Sequence, residues 1–197
     1  RDPEMSRGLG DVYKRQGEGT NLAIRPVSKS EKAETWFDGN AYHGDFQYTR
    51  SGGGLTVINF VDLEDYVMGV LPYEMHGDWP HEALKAQGAC ARTYAMNNIN
   101  AYIDRGFDVR NDTYSQVYRG VTGTVESTNK AAAATAGEYV RYRGSVCKVY
   151  YMSSDGGATD SSANVFSQKR AYLSGVKDDN EKDIEYYNNC LLYTSPS

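Results

Sequence analysis

The apolar positions along this chain change period several times. Leu55-Thr56-Val57-Ile58-Asn59-Phe60-Val61 is a β-branched, apolar run that follows the turn residues Ser51-Gly52-Gly53-Gly54. Upstream, residues 36–48 mix aromatics with Gly39 and Gly44. Together these stretches predict a β-hairpin or meander. At Asp62 the period switches. Leu63, Val67, Val70 and Leu71 share one face at helical spacing, Asp62 can cap the first turn, and Glu64 and Asp65 suit the dipole there. Pro72 is expected to end this helix and leave Glu74 in a connection.

A second helix is predicted from Asp78-Trp79-Pro80-His81-Glu82 to about Arg105, with Gly106 as its stop. Ala83, Leu84, Ala91, Tyr94, Ala95, Ile99 and Tyr102 form its expected buried side. Ala86, Ala89 and Ala91 keep the helix thin, so a neighbour must pack closely. Ser127 is the expected cap of a third helix through Ala134, with Gly137 as terminator. Residues 138–142 and 145–151 alternate around Arg143-Gly144, a two-residue hairpin signal. The predicted fold class is α+β: mixed sheets and hairpins around one long central helix, with two shorter helices.

Composition narrows the function classes. Of 197 residues, 40% are hydrophobic and 24% charged, an ordinary globular balance. The net charge of −5 without a basic block argues against binding nucleic acid through phosphates, and leaves a neutral polymer such as a glycan open. No apolar run reaches the roughly 18–20 residues of a membrane span, and the first residues lack a signal-peptide core. Residues 1–16 and 190–197 resemble translated sequencing-adapter sequence and are read as non-native tails. Residues 17–54 are read as a linker with an N-terminal β segment, and 55–189 as the principal domain, truncated. Setting the tails aside leaves Cys90 and Cys147. Neither lies in a C-x-x-C pair, so no zinc site is legible and both are expected as small core residues; a disulfide between them stays open.

The usual loud motifs are missing: there is no G-x-G-x-x-G, G-K-[ST], H-E-x-x-H or G-x-S-x-G. His43, His76 and His81 are the only histidines, and His76 stands two residues from Glu74. Glu74 is a lone acid in the apolar and aromatic stretch Val70-Leu71-Pro72-Tyr73-Glu74-Met75. Apolar surroundings favour the neutral, proton-donating form of a carboxyl. The competing reading is an ion pair with the next helix, for instance to Arg92.

Several motifs then carry a resemblance. Residues 63–75, L-E-D-Y-V-M-G-V-L-P-Y-E-M, are similar to the L-E-D-Y-L-x-G-V-V-x-x-E-M of the stage II sporulation protein D and amidase-enhancer family. Trp79-Pro80-His81-Glu82-Ala83-Leu84-Lys85-Ala86-Gln87 and Ala91-Arg92-Thr93-Tyr94-Ala95 continue it. Ser115-Gln116-Val117-Tyr118, Thr135-Ala136-Gly137 and Ser153-Ser154-Asp155-Gly156-Gly157 follow in family order, over about residues 55–177. The resemblance implies an extracytoplasmic protein of the bacterial cell envelope whose partner is the peptidoglycan glycan strand. It implies either a lytic transglycosylase, with Glu74 as its catalytic acid/base, or a non-catalytic module that stimulates a wall amidase. Tyr73, Arg92, Tyr114, Gln116, Tyr118, Ser153 and Ser154 are the expected substrate contacts. Some members bind zinc through two cysteines before Q-x-Y. Arg110 and Ser115 stand there in this chain, so no metal and no cofactor is expected. A catalytic Glu74 should line an open groove with residues 110–118 and 153–157.

Overall fold

The computed structural model describes residues 13–16, 21–26, 33–51 and 53–181, in two compact units divided after Val149. The first unit is built on a four-stranded antiparallel sheet of β1 (Tyr13–Gln16), β2 (Asn21–Ile24), β5 (Asp45–Ser51) and β6 (Gly54–Phe60), in the order β1-β2-β5-β6. β3 (Thr35–Phe37) and β4 (Asn40–Tyr42) form a separate hairpin. The expected meander over 36–60 is thus present. β1 falls in the stretch set aside as a tail, and β2 in the stretch read as linker. The linker reading of Asn21–Ile24 is corrected: pairing with β5 supplies the order that its weak apolar pattern did not signal. The tail 190–197 lies outside the described residues.

Helix α1 (Leu63–Glu74) starts as expected, with Asp62 Oδ1 accepting from the Glu64 N–H at 2.9 Å. It does not end at Pro72. The helix continues to Glu74, and the Met75 N–H closes its last turn on Leu71 O at 3.0 Å. A helical proline costs about 3 kcal/mol. Val67, Val70 and Leu71 are wholly buried on the same helix, and each contributes roughly 1.5–3 kcal/mol. Core packing therefore outweighs the break.

Helix α2 (His81–Asn97) ends eight residues before the expected stop at Arg105. Three asparagines explain this. Asn97 and Asn98 turn their amides back onto the carbonyls of Thr93 and Tyr94, and Asn100 adopts a positive φ of 65°. A 3-10 turn (Ile103–Arg105) follows, closed by Gly106 in the left-handed region. Ile99, expected inside, is exposed. Close packing of α2 falls at Gly88, where an added Cβ would meet Thr135 Oγ1 at 3.3 Å. Helix α3 (Glu126–Ala134) starts one residue before the expected cap: Ser127 instead donates to Gly77 O, and Thr128 Oγ1 accepts from the Val125 N–H. β7 (Arg141–Tyr142) and β8 (Ser145–Val146) flank Arg143 and Gly144, both at positive φ, as the hairpin signal predicts, though the strands are shorter than expected.

One core joins these parts. Rings run from the sheet to the helices: Phe46 meets Tyr42, Tyr42 meets Tyr118, and Tyr118 meets Tyr66 of α1, with centroids 5.0–5.8 Å apart. Cys147 is buried, Cys90 is half-buried, and both are free thiols; burial pushes the Cys90 thiol up. The second unit contains the short helix α4 (Ser162–Phe166) and a bridge between Ala158 and Lys177. Among the described residues no helix is long and apolar enough to cross a membrane. The α+β class holds.

Candidate active site at the end of helix α1

Glu74 is half-buried in the last turn of α1. Among the described residues its carboxyl takes part in no hydrogen bond and no ion pair. Its position is electrostatically unfavourable, because the carbonyl end of a helix carries partial negative charge worth about 0.3–1 kcal/mol against an acid. Among the described residues no hydrogen bond or ion pair offsets that cost.

The residue before it is anchored on one side and open on the other. Tyr73 packs against Gly123, where an added Cβ would lie 2.5 Å from the phenol oxygen. The exposed Arg119 guanidinium stands 5.9 Å from the centre of the Tyr73 ring. Tyr42 shares this environment, and burial above all raises its hydroxyl's pKa. Beyond the helix end, His76 is exposed and bonds Asp78, which this bond holds below the usual carboxylate range. Trp79 is exposed as well. Aromatic faces with polar tips suit a sugar polymer.

Other expected contacts lie elsewhere. Arg92, expected at the substrate or beside Glu74, is wholly buried and pairs with Glu64. Nε and Nη2 donate to the two Glu64 carboxylate oxygens at 2.9 and 2.6 Å. Its remaining donors reach the Gly88, Ala132 and Glu138 carbonyls and the Thr135 hydroxyl. Gln116 and Tyr118 are also buried. Gln116 Oε1 accepts from Tyr66 OH at 3.1 Å, and Tyr118 OH donates to Asn59 Oδ1 at 3.1 Å; burial drives the Tyr118 phenol far upward. These three side chains are buried in the interior, and Tyr118 also lines a cavity of this unit.

Tyr114 is largely exposed, with the Arg110 guanidinium 4.7 Å over its ring. Arg110 is itself tied to Asp112, which it holds below its ordinary pKa, and its N–H donates to Ser115 Oγ at 3.1 Å. Ser153 is exposed and Ser154 half-buried in the second unit, where Ser154 Oγ accepts from the Gly156 N–H. A cavity of about 920 Å³ in the first unit is lined by Phe37, Phe46, Phe107, Val109, Arg110 and Tyr118 among others. This cavity takes in residues 110–112 and Tyr118 but not Glu74.

Two residues of consequence escaped the sequence reading. Arg119 follows Gln116-Val117-Tyr118 and has no local spacing that ties it to Tyr73. Glu64, 28 positions from Arg92, was legible only as a helix-start acid.

A sequence profile of the stage II sporulation protein family matches residues 51–142. Through these residues the chain belongs to the stage II sporulation protein family. The match takes in Glu64, Glu74, Arg92 and Arg119. This family member is 43% identical to an uncharacterized protein of Brachyspira hyodysenteriae, over 79% of this chain and 43% of the relative. It is 36% identical to the amidase enhancer of Bacillus subtilis, over 84% of this chain and 23% of the relative. It is 27% identical to stage II sporulation protein D of the same organism, over 68% and 44%. The chain thus spans less than half the length of these relatives.

Proposed function

We propose that this chain acts on peptidoglycan as an extracytoplasmic lytic transglycosylase, with Glu74 as its single acid/base. Family membership supports the coarser statement, a role connected with the cell wall. The observation that supports the finer one is the Glu74 carboxyl at the end of α1, without a partner among the described residues and next in sequence to Tyr73, whose ring meets Arg119. In the reaction, protonated Glu74 gives its proton to the glycosidic oxygen as the bond to C1 breaks. The resulting carboxylate removes the proton of the muramic acid 6-hydroxyl, whose oxygen closes onto C1. One carboxyl serves both steps and no water is consumed, unlike the two-carboxylate hydrolases. Tyr73 would pack on a sugar face, and the exposed Tyr114 would be a further aromatic contact.

A second reading is a binding module that stimulates a wall amidase. Two observations favour it: the amidase enhancer among the relatives, and a cavity of the first unit whose lining lacks Glu74. One experiment separates them. The chain is incubated with purified glycan strands, and anhydro-muramic ends are measured by mass spectrometry. Ends formed by the parent and absent with Glu74→Gln support the enzyme. Equal product from the variant sinks the acid/base role. No product, together with equal stimulation of an added amidase by parent and variant, supports the module.

A further inference from the structure

Three carboxylates of the second unit converge, far in sequence from Glu74. Backbone bonds bring their segments together: Ala158 pairs with Lys177, the Thr159 N–H donates to Val176 O, and the Asp178 N–H donates to Gly157 O, each bond at 2.9 Å. One carboxylate oxygen each of Asp155, Asp178 and Glu181 lies within 4.8 Å of the other two. Asp155 and Asp178 are half-buried, whereas Glu181 is only 7% exposed. Asp155 Oδ1 accepts from the Gly157 N–H, and Asp178 Oδ1 from the Asn180 N–H. Glu181 Oε1 is buried and has no hydrogen-bond partner. Among the described residues none of the three is in an ion pair. Lys177, next to Asp178, is largely exposed and bound to Asp179.

A buried carboxylate with an oxygen that has no donor, grouped with two other carboxylates, is unfavourable unless a cation completes the set. We propose that Asp155, Asp178 and Glu181 bind a hard divalent cation, with calcium preferred. The donors are oxygens alone, with no imidazole or thiolate, which disfavours zinc and suits calcium, magnesium or manganese. Calcium holds oxygens at about 2.3–2.6 Å, so ligands on opposite sides stand up to about 5 Å apart; magnesium demands a tighter octahedron near 2.1 Å. Separations of up to 4.8 Å lie within calcium's reach, and calcium's flexible geometry suits three ligands from two chain segments better than a rigid octahedron does. The bound cation ties the Ser153-Ser154-Asp155-Gly156-Gly157 turn to residues 178–181, and this holds whether or not Glu74 is catalytic.

The test uses the whole chain, stripped with EDTA and desalted. Calorimetric titration with CaCl2 is expected to give one site with Kd about 10⁻⁴–10⁻³ M, and MgCl2 a weaker one. In 5 mM CaCl2 the melting temperature should rise by roughly 3–5 °C. Glu181→Gln should abolish that rise and, in EDTA, be at least as stable as the parent, because it removes a buried unpaired charge. Should that variant fail to fold, Asp155→Asn at the half-buried position carries the same test, with at least a tenfold loss of affinity. No heat and no shift at 5 mM CaCl2 overturns the proposal. So does an undiminished shift in the folded variants.

Discussion

Glu64 and Glu74 stand ten residues apart at opposite ends of helix α1, and almost everything about them differs. Glu64 lies in the first turn, where the dipole welcomes an acid, and accepts two bonds from Arg92 and one from the Gly137 N–H. Glu74 lies in the last turn, where the dipole opposes it, and has no partner among the described residues. A residue type alone says little about role. An acid whose every oxygen is spent inside the fold maintains the fold, and one kept at a cost without return is available for chemistry.

The largest effect expected from breaking this contrast is on turnover. Glu74→Gln should lower the formation of anhydro ends by about 10³-fold or more, the scale of a lost general acid, while the urea midpoint hardly moves. Glu64→Gln should do the reverse. It leaves the wholly buried Arg92 without its counter-charge, at about 3 kcal/mol of stability by urea unfolding, with turnover per folded molecule changed less than tenfold. The pair Glu64→Gln with Arg92→Met sharpens the point: it should recover at least about 1 kcal/mol over Glu64→Gln alone, since replacing both members of a buried pair is milder than orphaning one. A smaller effect is expected from Gly123→Ala. The new methyl displaces Tyr73 and should raise KM severalfold while costing about 1 kcal/mol or less. An unchanged KM would remove Tyr73 from the substrate surface.

The chain announced some of this and concealed the rest. The Asp62 cap, the strand after Gly54 and the Arg143-Gly144 turn are decided by residues within a few positions of each other, so short-range chemistry reveals them. Pro72 misled because its local penalty is opposed by burial that depends on α2 and the aromatic chain from the sheet. The end of α2 was written in Asn97, Asn98 and Asn100, but a distant glycine was the more familiar stop. Glu74 stood out as an acid among apolar residues, and its place on the helix changed while its isolation did not. Arg92, Gln116 and Tyr118 read as polar groups suited to a ligand. Their partners, Glu64, Tyr66 and Asn59, sit 28 to 59 positions away, beyond the reach of any spacing rule.

The five groups around Arg92 set a lower bound on how this unit can be cut. Its guanidinium is satisfied by α1 through Glu64, by α2 through Gly88, by α3 through Ala132, and by the strand approach through Glu138. None of these elements can detach without stripping bonds from a charge that has no water to turn to. Amide hydrogens of α1, α2 and α3 should therefore exchange together, as one cooperative block. The shortest fragment able to fold by itself must extend past Glu138, and any proteolytic nick that frees α3 should release all three helices at once.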